Sequence, residues 1–204
     1  MVELLVNGSD SELPGRIDPR SVAFDIDGVI ADTMALFIDI AREDYGINGI
    51  SVEQITEYSL ERCLQIEPDV ITQILMRIMG GDFRQPLKPM DGAAEVLASL
   101  ADYRRPLLFV TARPTSETIL TWIEELVAIA PDQVQVIATG TFEDKTDVLL
   151  GNGIRHFVED RLETCYQVKA AGIEPVVYRQ PWNRQHHPFA EVSNWLELKN
   201  LIDF

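Results

Sequence analysis

The chain is poor in cysteine, in positive charge and in long apolar runs, and each shortage closes off a class of function. Only Cys63 and Cys165 occur in 204 residues, far apart in the sequence. Two such thiols make no disulfide framework, so both are expected to be reduced, in or near the core. Lysine and arginine number 17 against 33 acidic residues, a formal net charge of -16. Polyanions are bound through a basic face and counterion release, so nucleic acid is excluded as a partner. No apolar run approaches the roughly 18 residues of a membrane helix. The opening "MVELLVNGSDSELPGR" has neither the basic start nor the apolar stretch of a signal peptide. No membrane partner and a cytoplasmic location are therefore expected.

What remains is globular material, 46% hydrophobic and 25% charged, enough for one α/β domain with a modest insertion. Residues 1–20 carry Gly8, Pro14, Gly15 and Pro19 and read as a loosely packed lead-in. "SVAFDID" is a short apolar run of strand-forming residues, a buried strand. Asp32 suits the N-cap of a helix whose Met34, Phe37, Ile38 and Ala41 share one face and which Gly46 stops. Residues 34–88 read as a small helical cap; its clearest helix is "PDVITQILMRIMG", started at Pro68 and stopped by Gly80. From Asp91 onward helices alternate with the short apolar strands "PLLFVTA", "QVQVIA", "RHFVED" and "EPVVY". That alternation implies a parallel sheet covered on both faces, a three-layer α/β sandwich built from residues 21–33 and 89–204.

In an open parallel sheet, ligands sit at the C-terminal ends of the strands. The first strand ends in Asp25 and Asp27, the next in Thr111 within "FVTARP", and a later one in Glu159 and Asp160 within "HFVEDR"; Lys145 opens the helix before that strand. Like charges about 4 Å apart cost on the order of 4 kcal/mol per pair near a surface. Four carboxylates in one cleft therefore call for a cation, and hard oxygen ligands favour magnesium. The overall negative charge repels a phosphate ester at long range, so a phosphate site here must be locally positive. Taken singly, each residue has a plainer reading: a turn for "DIDG", a backbone-bonded hydroxyl for Thr111, a solvated surface lysine for Lys145. Only their joint register favours chemistry.

"DIDGV", Thr111 in "TAR", the isolated Lys145 and the acidic pair "ED" stand in the order of the four motifs of the haloacid dehalogenase (HAD) superfamily, which the chain resembles over residues 21 to about 180. "DIDGVIADT", "TARP", "HFVEDR" and "QPWNR" together look most like the cytosolic 5'(3')-deoxyribonucleotidase group and its bacterial relatives. The resemblance implies a HAD-like core with a small helical cap inserted after the first strand. It also implies a magnesium-dependent phosphomonoesterase acting on a small phosphorylated metabolite. Asp25 would be the nucleophile that becomes an aspartyl-phosphate, and Asp27 the acid and base. Thr111 and Lys145 would bind the phosphoryl group, and Asp25, the Asp27 backbone, Asp160 and Glu159 the metal. Glu159 departs from the family's usual aspartate or glycine; Asp160 is favoured as the direct ligand.

Arg113 is open to two readings, substrate contact or a bond to a nearby carboxylate. Trp182 and Asn183 are placed at the edge of the site, and Arg161 is expected to pair with Glu163 or Glu159. A halide leaves without a proton, so Asp27 tilts the expectation from dehalogenase to phosphatase. Nucleoside 5'-monophosphates are the expected substrates. The alternatives are a sugar phosphate or phosphoglycolate, and, in a different class, a catalytically silent binding protein on the same scaffold.

Overall fold

Six short strands, all parallel, form one sheet in the order β3-β2-β1-β4-β5-β6 in the computed structural model, which describes residues 16–128 and 130–204. The strands are β1 (Val22–Phe24), β2 (Leu107–Thr111), β3 (Val134–Ala138), β4 (His156–Glu159), β5 (Glu174–Tyr178) and β6 (Ala190–Val192). β6 was not foreseen; it is three residues long and only Val192 is buried, so neither length nor alternation marks it.

The helices between the strands cover both faces. On one side α4 (Ala93–Leu100), α5 (Glu117–Val127) and α8 (Trp195–Leu201) pack on a sheet face that carries Phe24 and Phe109. The Trp195 ring lies 5.5 Å from that of Phe24. On the other side α6 (Lys145–Gly151) and α7 (Leu162–Ala170) bury Leu149 and Val168 against Ala23, Leu108, Val110 and Phe157. This alternation of facing side chains along each strand produces the three layers.

Between β1 and β2 the chain inserts α1 (Thr33–Tyr45), α2 (Leu60–Cys63) and α3 (Pro68–Gly80), which share an apolar cluster of Leu36, Phe37, Ile40, Ile55, Ile71, Ile74 and Ile78. Asp32 caps α1, its side chain accepting from the Ala35 amide at 3.0 Å. The buried line of α1 runs through Thr33, Leu36, Phe37, Ile40 and Ala41, with the expected Met34 and Ile38 at its margin, because α3 packs along that line. α3 keeps Gly80 inside the helix and is stopped by Gly81 instead, at φ +74, where a Cβ would meet the Thr118 side chain at 2.7 Å.

Of the expected lead-in, residues 1–15 lie outside the described residues. The remainder is not loose. Ile17 is buried, its amide donates to Leu201 and its carbonyl accepts from Asp203, so packing begins before residue 21. Both cysteines are free thiols, Cys165 buried and Cys63 partly so. No helix among the described residues is long and apolar enough to cross a membrane.

Candidate active site

Strand register decides which side chains meet. Phe24 of β1 stands opposite Phe109 of β2 and Val158 of β4. The residues that follow each of these therefore emerge at one edge of the sheet: Asp25 from β1, Thr111 from β2, Glu159 and Asp160 from β4. The Asp25 amide still donates to the Val158 carbonyl at 2.9 Å, so the carboxylate is held at the last rung of the ladder.

Lys145 reaches the same point from the first turn of α6. Its Nζ lies 3.0 Å from Asp25 Oδ1 and 2.9 Å from Glu159 Oε2, and the side chain is fully buried. Burial alone would push the ammonium down, but Asp25 and Glu159 outweigh it and hold it above the ordinary lysine value. Glu159 spends its second oxygen on the chain itself: Oε1 accepts from the amides of Asp160 and Arg161, both at 3.0 Å. Burial would raise its pKa, yet Lys145 and these amides bring it below the usual carboxylate value.

Asp25 and Asp160 are placed differently. Burial first, and then the charge of Glu159, push both well above the ordinary carboxylate value, with Lys145 only partly opposing. Asp160 Oδ2 accepts from the Trp182 indole at 2.9 Å, and its Oδ1 has no hydrogen-bond partner among the described residues. Oxygens of Asp25, Glu159 and Asp160 lie within 4.8 Å of one another. Four carboxylates, these three and Asp27, have two cations within salt-bridge distance, Lys145 and Arg113. With all four ionised the formal excess is two negative charges, the charge of one divalent cation, and without such an ion burial and mutual repulsion favour the protonated forms of Asp25 and Asp160. The donor set is all oxygen, as a hard cation requires, so these residues fit such an ion.

Asp27, one pleat further on, is gripped by Arg113: Nε donates to Oδ2 at 2.9 Å and Nη2 to Oδ1 at 2.6 Å. The Thr33 hydroxyl donates to Oδ1 at 2.5 Å. Burial would raise Asp27, but Arg113 and Thr33 more than offset it, and the carboxyl sits below its usual value. Arg113 thus bonds a carboxylate, the second of its two expected readings. The buried Thr111 hydroxyl accepts from the Arg113 amide at 3.2 Å, which leaves its own proton to point elsewhere.

Position 28, which follows Asp27 and faces the Asp160 side chain, has room only for glycine. Gly28 has φ +76, and a Cβ there would overlap Asp160 Oδ2 and stand 3.2 Å from the Trp182 ring. Arg161 lies 3.6 Å from Glu163, and its guanidinium also stacks on Phe142 at 4.2 Å and on Tyr58 of the insertion at 5.2 Å. A cleft of about 470 Å³ opens beside Asp160, lined by Tyr58, Arg62, Arg161, Trp182 and Gln185. Thr33, Phe142 and Gln180 were missed from the sequence. Thr33 at least carried a signal, following a capping aspartate directly after the acidic loop.

A profile for the family described as 5' nucleotidase, deoxy (pyrimidine), cytosolic type C protein matches residues 20–204. None of the curated proteins matches the chain. Among solved structures, a HAD-superfamily hydrolase of subfamily IA from Geobacter sulfurreducens superposes with a TM-score of 0.60 at 20% identity, covering 95% of this chain and 100% of that one. A "predicted phosphoglycolate phosphatase" from Haemophilus somnus gives 0.57 at 17% identity, covering 90% and 98%. CbbY from Rhodobacter sphaeroides, in complex with phosphate, gives 0.53 at 15%, covering 87% and 95%. At these identities the likeness is one of fold.

Proposed function

The chain belongs to the family of 5' nucleotidase, deoxy (pyrimidine), cytosolic type C proteins, phosphatases of the HAD superfamily, and on that premise we propose that it is a cytoplasmic, magnesium-dependent phosphomonoesterase acting on nucleoside 5'-monophosphates. The observation that carries the reading is the arrangement at Lys145: one buried ammonium between Asp25 and Glu159, with the buried Asp160 carboxyl beside them, three acids sharing one cation. Asp25, Asp160 and the Asp27 backbone carbonyl would hold the ion. Glu159, both of whose oxygens are engaged, holds Lys145 and the β4 turn instead. Bound there, magnesium would supply Lewis-acid stabilisation of charge on the phosphoryl oxygens.

The rest is the work of the chain. A carboxylate oxygen of Asp25 attacks phosphorus, and the P–O bond to the leaving alcohol breaks as the new O–P bond forms. Asp27 gives the leaving oxygen its proton. Arg113 keeps Asp27 ionised in the resting site; the approach of a phosphate dianion raises its proton affinity, so it takes up one proton from solvent as substrate binds and returns one to solvent once phosphate has left. In the second half Asp27, now a carboxylate, takes a proton from water, which attacks phosphorus and frees Asp25 and inorganic phosphate. Thr111, whose oxygen already accepts from an amide, turns its O–H toward the phosphoryl group, and Lys145 stabilises the charge on it.

The helical insertion serves as the lid that excludes water from the acyl-phosphate. The cleft beside Asp160 receives the leaving group; its 470 Å³ suits a nucleoside, and the aromatic side chains Tyr58 and Trp182 line it. A screen of phosphorylated metabolites tests the substrate. Turnover of nucleoside 5'-monophosphates ahead of sugar phosphates and phosphoglycolate is expected. Cleavage of a sugar phosphate or phosphoglycolate with no nucleotide turned over contradicts it.

A further inference from the structure

The turn Gln180–Asn183 gathers three buried side chains onto the candidate site. Gln180, Trp182 and Asn183 are 8%, 9% and 1% exposed. Gln180 Nε2 donates to the Gly28 carbonyl at 2.7 Å, directly behind the Asp25–Asp27 loop. Asn183 Nδ2 donates to the carbonyls of Asp160 at 2.7 Å and Tyr178 at 2.9 Å, while its Oδ1 accepts from the Gln180 amide and locks the turn on itself. Trp182 alone does two things at once. Its indole N–H donates to the Asp160 carboxylate, and its ring belongs to the apolar cluster of the helical insertion.

A buried tryptophan is more often a core side chain whose N–H is satisfied by a carbonyl. The other two tryptophans donate to carbonyls: half-buried Trp122 to Leu87 O at 3.0 Å and buried Trp195 to Val29 O at 2.9 Å. Trp182 donates to an acid. A carboxylate with one oxygen so held cannot swivel, and the N–H partly offsets its charge.

We propose that Trp182 is the positioning residue of the cation site, fixing Asp160 with Oδ1 turned to the ion and tying that orientation to the packing of the helical insertion. The proposal rests on the divalent-cation reading above. Trp182 touches no reacting atom; it acts through Asp160. The same side chain borders a small apolar cavity of about 120 Å³ with Met34, Ile55, Leu60 and Leu75. A shift in the insertion is therefore felt at Asp160 through one rigid ring.

The test uses the full chain, magnesium chloride, calorimetry and indole ¹⁵N NMR. Each tryptophan gives one indole signal, and Trp182→Phe identifies its own by the loss of one. On adding magnesium to the parent, the Trp182 signal should shift while that of Trp122 stays in place. Trp182→Phe, which keeps a ring in the cluster but has no N–H, should bind magnesium about 10- to 100-fold more weakly, with the other two indole signals unchanged. Equal magnesium affinity in Trp182→Phe and parent overturns the proposal. A parent that shows no saturable magnesium binding overturns the divalent-cation reading, and this proposal with it. Should Trp182→Phe fail to fold, Trp122→Phe and Trp195→Phe assign the remaining signal to Trp182 by elimination, and the parent spectrum decides: a Trp182 signal unmoved at saturating magnesium overturns the assignment.

Discussion

Arg113 holds Asp27 with two parallel hydrogen bonds, 2.9 Å from Nε and 2.6 Å from Nη2, while Thr33 donates to the same carboxylate from the start of α1. The fork geometry matters, because a lysine can reach one oxygen but not span two. Arg113→Lys should lower kcat well beyond any change in KM. Arg113→Gln should cost about 1–3 kcal/mol at neutral pH, the range for a hydrogen-bonded charge left alone in a partly buried site. The pH dependence has a definite sign. Asp27 is held below its unfolded value, so its stabilisation is present above the ordinary carboxylate range and is lost as pH falls through the lower folded value. Urea titrations from pH 3 to 7 should show this acid loss in the parent and not in Arg113→Gln. Parallel profiles count against the pairing.

Lys145→Met removes the ammonium shared by Asp25 and Glu159 and leaves two buried carboxylates together. A loss of about 3–5 kcal/mol is expected near neutral pH. In the variant both acids are raised, so stability is retained at low pH and lost as pH rises. The denaturant midpoint should therefore fall from pH 5 to pH 8 more steeply than in the parent. A deficit that does not change with pH contradicts the assignment.

Magnesium should raise the melting temperature, and more so as pH increases from 4 to 7, because protons compete with the ion for the raised carboxyls of Asp25 and Asp160. At about 100 times Kd the gain is roughly 2.7 kcal/mol, or about 5–10 °C for a chain of this size. Calcium should bind without supporting turnover, since its looser and larger coordination shell displaces the nucleophile. Full activity in excess EDTA is the contrary result.

Gly28→Ala should cost both stability and metal affinity, because a Cβ at φ +76 overlaps the Asp160 carboxylate. Calorimetry should show weakened magnesium binding even where the variant stays folded. Unchanged affinity would mean that Asp160 has room to move and is not fixed as described.

Much of this architecture was legible because it follows from period and punctuation. The β1, β2, β4 and β5 runs are short and apolar between turn signals, and the helices after Asp91 carry clear stripes. Asp25, Asp27, Thr111, Lys145 and Asp160 could be placed on one edge because a parallel sheet puts all its strand ends together. What stayed hidden depends on contacts between residues remote in sequence. Arg113 is separated from Asp27 by the whole helical insertion, and Gln180 meets Gly28 across 152 positions. No local pattern announces either. β6 was lost for another reason: three residues with one buried side chain carry no period. In α1 the stripe was shifted slightly because its face is set by α3, not by its own sequence.

The proposed mechanism requires a covalent bond between the Asp25 carboxylate and phosphorus. Rapid quenching of the enzyme with a ³²P-labelled nucleoside 5'-monophosphate, followed by peptide mapping, detects that bond. Transient acid-stable, hydroxylamine-labile label on the peptide holding Asp25, absent from Asp25→Asn, is the expected result. Label on another residue, or an Asp25→Asn enzyme that turns over as fast as the parent, would exclude Asp25 as the nucleophile.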